Sequence, residues 1–155
     1  MPDTSKDGLR PLRPSDLDRV VEIDGRLSGR LRRGFFEKRL QAALADPDAF
    51  VAVGVGEEGK LDAFAFTRIQ AGEFGDEHAV AILDAVGVNP DSQRHGLGRR
   101  LMDGIDERLR RAGVREIRTQ VNWNDQGLLS YFAAVGFDLA PRQVLDRSAS
   151  QPVSA

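Results

Sequence analysis

The stretch Val86-Gly87-Val88-Asn89-Pro90-Asp91-Ser92-Gln93-Arg94-His95-Gly96-Leu97-Gly98-Arg99-Arg100-Leu101 decides how this chain is read. An apolar run enters a turn at Asn89-Pro90, passes two glycines and opens a helical pattern. Leu97, Leu101, Ile105 and Leu109 recur every four residues, and Gly113 closes the helix. A strand, a glycine-containing loop and a helix start make an anion site in physical terms. The N–H groups of a first helical turn lack intrahelical acceptors, and the helix dipole adds partial positive charge there. Gly96 and Gly98 remove side chains, so that a phosphate can approach the backbone. Arg94, Arg99 and Arg100 add charge around the loop. A dinucleotide fingerprint would need glycine where Leu101 stands, and a P-loop would need Gly-Lys-Ser/Thr, which is absent. A tight strand-to-helix turn that binds nothing remains the alternative.

Upstream, Leu9 to Leu12 reads as a short strand. Pro14-Ser15-Asp16-Leu17-Asp18 opens a helix, with Ser15 as cap and Asp18 answering three residues on. Leu17, Val20, Val21 and Leu27 form its apolar stripe. A second helix runs from Phe35 to Ala45 and stops at Asp46-Pro47. Phe50–Val53 and Leu61–Ile69 read as a hairpin with a long loop. Ala79 to Val88 is a third strand, apolar except for Asp84. Downstream, Glu116–Val121 is a strand, and Asn124-Asp125 caps a helix from Gln126 to Val135 that ends at Gly136. Phe137–Leu145 is expected as a final strand. The order β-α-α-β-β-β-α-β-α-β implies an α/β (α+β) fold with one mixed sheet and helices on its faces.

Gln93-Arg94-His95-Gly96-Leu97-Gly98 resembles the Q/R-x-x-G-x-G/A loop of the GNAT superfamily of N-acetyltransferases, which binds the coenzyme A pyrophosphate. Val86 to Pro90 is similar to the family's fourth strand and following turn. Leu9 to Leu17 and Tyr131-Phe132-Ala133-Ala134-Val135-Gly136-Phe137 resemble its opening and its last helix with the Gly-Phe exit. The likeness covers nearly the whole chain. It implies one domain over 1–147, a loose tail over 148–155, and a mostly antiparallel sheet of six to seven strands with about four helices.

The resemblance also implies chemistry. Acetyl-CoA is the cosubstrate, and the acetyl group passes directly to an amine. The fourth and fifth strands splay, and the pantetheine arm pairs with the backbone at Val86, Gly87 and Val88, as an added strand would. A backbone N–H there would stabilise the tetrahedral oxyanion. Gln93, Arg94, His95, Gly96, Leu97, Gly98 and Arg99 would hold the pyrophosphate, and Asn124 would contact pantetheine. An alkylamine has a pKa near ~10, so a base is expected. Asp84 is the first candidate. By two-residue alternation it shares a face with Ile82, Val86 and Val88; pairing with an arginine is the competing reading. Glu22, Glu37 and His78 are weaker candidates. The family's tyrosine acid would fall on Phe132, which has no proton to give, so the role passes to the neighbouring Tyr131 or to no side chain.

Composition bounds the rest. At 155 residues the chain is one domain by length, able to bury about 68–70% of its unfolded surface. It has no cysteine, hence no enzyme thioester, and only His78 and His95 as histidines, which argues against a metal site. The net charge of −2 argues against nucleic acid as a partner. No apolar run reaches the ~20 residues of a membrane span, and a cytoplasmic location is the expectation. The charge is uneven. Residues 57–91 carry eight acids and two bases; residues 26–39 carry six bases and one acid. An acidic rim would attract a cationic amine, whereas the basic segment would instead contact an anionic substrate or the adenosine 3′-phosphate. The expected partners are acetyl-CoA and a primary amine acceptor, with a homodimer left open. The rival to an enzyme is a non-catalytic acyl-CoA-binding or regulatory module of the same fold.

Overall fold

The computed structural model describes residues 8–150, apart from the side chains of Arg94 and His95. The phosphate contacts expected of those two side chains, and the last five residues of the expected tail, lie outside the described residues. The elements are β1 (Leu9–Pro11), α1 (Leu17–Ser28), α2 (Arg33–Ala45), β2 (Phe50–Val55), β3 (Ala63–Gln70), β4 (Val80–Val88), α3 (Leu97–Arg111), β5 (Ile117–Thr119) and α4 (Gln126–Ala134). The strands form one sheet in the order β1-β2-β3-β4-β5. The first four run antiparallel to their neighbours, and β5 returns parallel to β4 through α3. Among the described residues no helix is long and apolar enough to cross a membrane.

Each face of the sheet has its own core. Under α3 the packing is aliphatic: Val53, Leu83, Leu97, Leu101 and Ile105 interlock, with Phe132 of α4 at the end. Under α1 and α2 it is aromatic. The Phe36 ring lies 5.6 Å from Phe64 and 5.4 Å from Phe66, and Val20 and Ile23 fill the gaps. Covered on both faces, β2 and β3 read as nearly continuous apolar runs despite their antiparallel pairing.

Two expectations are corrected. The entry to α1 is a 3-10 turn, Pro14–Asp16, and Asp16, not Asp18, closes the capping box onto the Arg13 N–H at 2.8 Å. Arg10 grips both Asp16 oxygens at 2.8 Å. A charge-assisted pair is stronger than a neutral hydroxyl cap, which leaves Ser15 to bond Glu58 and Asp18 to pair with Arg33. The second correction concerns Phe137–Leu145, which forms no strand, so the sheet has five strands where six to seven were expected. Leu139, Val144 and Leu145 are exposed. Pro141 lacks the N–H a ladder requires and interrupts the alternation.

Candidate active site

The two halves of β4 differ. Ala81–Leu83 pair with Ile117–Thr119, and the Thr119 hydroxyl donates to the Leu83 carbonyl at 2.9 Å. There β5 ends. Asp84–Val88 keep β3 on one side and, among the described residues, have no strand on the other. This bare edge of N–H and C=O groups runs from the end of β5 to the loop before α3.

At the same point β4 carries a bulge. Phe66 pairs with Ala85 and Thr67 with Leu83, so Asp84 is an extra residue. The bulge overturns the alternation expected for Asp84. Val86 and Val88 join Leu83 in packing against the α3 core, whereas Ala85 joins the α1/α2 core. Gly87 also faces that side. A Cβ on it would lie 2.6 Å from the Phe64 ring and 3.3 Å from Leu27. Val86, Gly87 and Val88 are therefore small or apolar because their side-chain positions face protein; the backbone edge is what they leave for a ligand.

The loop beyond Val88 is fixed by Asn89, which is buried. Its N–H donates to Asp62 O, and its Oδ1 accepts from the Asp91 N–H and from Arg26. Gln93 reaches back to Val88 O at 3.4 Å. A 3-10 stretch, Pro90–His95, leads to Gly96, whose φ of 68° is left-handed and whose Cβ direction is open space. Gly96 is thus needed for its backbone angle. The first turn of α3, beginning at Leu97, leaves its N–H groups without intrahelical acceptors.

Gly98 has another reason to be glycine than the one expected. A Cβ there would sit 2.7 Å from the Tyr131 ring, and the Tyr131 hydroxyl donates to Gly98 O at 2.9 Å. Burial pushes the Tyr131 phenol pKa upward. The one tyrosine of the chain is thus pinned to the first turn of α3, at the loop end of the bare edge. Arg99, expected to face phosphate, donates to Ala134 O at the end of α4. Asp125 caps α4 by accepting from the Leu128 N–H at 3.0 Å, while the neighbouring Asn124 is exposed.

At the opposite end, beside the bulge, Asp84 is mostly buried and bound by two arginines. Arg68 Nε lies 3.0 and 2.8 Å from its two oxygens, and Arg39 Nε lies 3.5 Å from one of them. Arg39 also stacks on Phe35, 5.3 Å from the ring centroid. The competing reading of Asp84, an arginine partner, is the one observed. The charged segments likewise neutralise each other: Arg39 of the basic stretch meets Asp84 of the acidic one, and Arg26 meets Asp91, holding that carboxyl below its usual range. Arg68 and Asn89 were not singled out as site residues, and Arg39 and Arg26 only as members of the basic segment. An arginine inside the apolar run Ala63–Gln70 was a visible signal; the bulge that brings Arg68 to Asp84 was not. Glu22 pairs with Arg19, and His78 is exposed. Among the described residues no group of three or more His, Asp or Glu is placed to hold a metal ion.

Comparison with known proteins gives one family. Residues 17–137 match the acetyltransferase (GNAT) family. Mycothiol acetyltransferase of Kocuria rhizophila is 29% identical over 121 residues, 77% of this chain and 40% of that protein. The ribosomal protein bS18-alanine N-acetyltransferase of Escherichia coli K12 is 31% identical over 84 residues, 54% of this chain and 52% of that protein. The chain spans about half or less of the length of these relatives. Among solved structures, an aminoglycoside antibiotic 6'-N-acetyltransferase from Acinetobacter haemolyticus superimposes with a TM-score of 0.76 at 13% identity, over 92% of this chain and 99% of that one. AAC(6')-Iy bound to the bisubstrate analog CoA-S-monomethyl-acetylneamine gives 0.73 at 17% identity, over 90% and 96%.

Proposed function

The chain belongs to the acetyltransferase (GNAT) family, and from that premise we propose that it transfers an acetyl group from acetyl-CoA directly to a primary amine. The observation that carries this reading is the bare edge of β4 between the first turn of α3 and the bulge. Pyrophosphate would sit on the open N–H groups at Gly96–Arg99. The pantetheine arm would pair with Val88, Gly87 and Val86 and run back toward Asp84, about 13 Å of strand at about 3.3 Å per residue. Its reactive end then falls at the bulge.

There the amine nitrogen attacks the thioester carbon, the C–N bond forms and the C–S bond breaks. The nitrogen gives up one proton to water, and the thiolate is protonated from water after it has left. A backbone N–H of the bare edge stabilises the oxyanion. Asp84 holds Arg68 and Arg39 in place; a carboxylate committed to two guanidinium groups is an anchor for them. Tyr131 braces the pyrophosphate loop through Gly98. With its hydroxyl committed there, the thiolate leaves as itself, its thiol having a pKa of about 8.5, like that of cysteine.

Calorimetry with acetyl-CoA, followed by thiol release across an amine panel, tests this. Micromolar binding with release is expected. No binding overturns the reading. Binding without release from any amine favours the rival binding module, for which the committed Tyr131 hydroxyl is the supporting observation. Gly96→Val, forced to adopt a φ of 68°, is expected to weaken coenzyme binding about tenfold or more.

A further inference from the structure

We propose that the acceptor is an amine that also carries an oxyanion group, a carboxylate or a phosphate, and that Arg39 and Arg68 receive it. This rests on the acetyltransferase reading above and names the substrate class of the same site.

The geometry begins with a register row. Arg68 on β3, Ile82 on β4 and Arg118 on β5 are directly opposite one another. Residues in such a row share one face of the sheet, and the contact of Arg68 with Asp84 and Arg39 places that face under α2. Arg118 is accounted for: Glu116 takes it at 3.0 Å and Asp76 at 3.8 Å. Among the described residues Arg39 and Arg68 have only Asp84 between them as an acidic partner. Two guanidinium groups over one carboxylate leave one positive charge uncompensated.

They also leave donors unused. Asp84 accepts from Arg68 Nε and has Arg39 Nε at 3.5 Å, and the terminal nitrogens of both arginines make no hydrogen bond to protein among the described residues. Arg68 and Arg39 are 27% and 32% exposed, while Asp84 beneath them is 12% exposed. The carboxylate is thus more deeply buried than the two arginines that meet it. Phe35, stacked on Arg39, limits how that side chain can turn. A planar fork with free donors matches a carboxylate or phosphate in two-point geometry.

Position completes the argument. Asp84 is the bulged residue, and the last β4–β5 rung, Leu83 with Thr119, lies next to it. The two forks therefore stand at the end of the bare edge where the acetyl group would arrive. An amine presented there has its anionic substituent within reach of the forks.

Thiol release from acetyl-CoA is measured with four acceptors of similar size: an amino acid, an aminoalkyl phosphate, an uncharged alkylamine and a polyamine. The expected result is that kcat/KM for the amino acid or the phosphate exceeds that for the uncharged amine about tenfold or more, with the polyamine lowest. Which of the two leads identifies the oxyanion. Arg39→Gln is expected to bring the anionic-to-neutral ratio toward one through KM, while Arg39→Lys, which keeps the charge, retains part of it. The proposal is overturned if the uncharged amine or the polyamine is used as well as the anionic amines. It is equally overturned if Arg39→Gln, still folded by its melting profile, leaves the ratio unchanged. Release from no acceptor overturns the acetyltransferase reading itself, and this inference with it.

Discussion

Asp16 before α1 and Asp84 on the β4 bulge each meet a guanidinium nitrogen at 2.8 Å, yet their surroundings differ. Asp16 is fully buried. Both its oxygens are taken by Arg10, and one also accepts the Arg13 N–H. Burial alone would raise its pKa, but Arg10, the Arg13 N–H and the nearby positive charges outweigh it and hold the carboxyl below its usual range. Arg10 in turn spends its Nε on Gly56 O. Every group at that corner has a partner, and the corner ties β1, α1 and the end of β2 together. At Asp84 only Arg68 Nε makes hydrogen bonds, Arg39 Nε lies 3.5 Å away, and the terminal nitrogens of both arginines donate to no protein group among the described residues. The same chemistry serves the fold where its hydrogen bonds are closed, and stands ready for a ligand where they are left open.

The largest expected effect follows from the closed corner. Asp16→Asn leaves Arg10 partly buried without its charge partner and is expected to cost about 3 kcal/mol. At about 2–4 °C per kcal/mol for a chain of this size, the melting temperature should fall by about 6–12 °C. The pH dependence has a definite sign. A carboxyl whose pKa is depressed on folding stabilises above its unfolded value of about 3.9, and that contribution is lost as pH falls through the lower folded value. The gap between Asp16→Asn and the parent should therefore be constant from pH 7 to about 4 and close below that. A gap that widens on acidification would contradict the closed-corner reading.

Asp84→Asn should behave differently. Its partners are partly exposed, so the stability cost is expected to be about 1 kcal/mol. The acceptor preference should drop about tenfold through KM, because the two forks lose their anchor. If Asp84 were instead the proton acceptor, kcat would fall by about 100-fold or more and the acid limb of the pH–rate profile would vanish. A stability loss equal to that of Asp16→Asn would erase the contrast between the two corners.

The smallest effect concerns the strand beside the bulge. Thr67 is buried, and its hydroxyl has no hydrogen-bond partner among the described residues. Thr67→Val keeps the shape and removes the unpaired polar atom, so it is expected to stabilise by about 1 kcal/mol, readable as a melting shift of a few degrees. Destabilisation would mean that the hydroxyl is satisfied in solution.

What the chain disclosed beforehand follows the same physical division. The four-residue repeat of Leu97, Leu101, Ile105 and Leu109, the Gly113 stop and the Asp125 cap were legible because helix periodicity and capping are local. The glycine loop was legible as a strand-to-helix turn for the same reason. The reasons for its glycines were not: Gly98 yields to Tyr131, thirty-three residues away, and Gly87 to Phe64 across the sheet. Asp84 was visible as an acid in an apolar strand, but its partners depended on register. The cap at Asp16 was missed because Arg10, on another element, strengthened it. The strand expected over Phe137–Leu145 followed from alternation alone, without weighing Pro141.

The bulge at Asp84 amounts to a phase slip of one residue in a two-residue wave. Before it, odd-numbered positions of β4 point to α3; after it, even-numbered positions do. Leu83 and Ala85, on either side of the extra residue, already point to opposite faces, as neighbours in a regular strand would. Without Asp84, Leu83 and Ala85 would follow one another in plain alternation, and Val86 and Val88 would still face α3. The extra residue therefore answers to neither core, and what it adds is the carboxylate that gathers the two arginines.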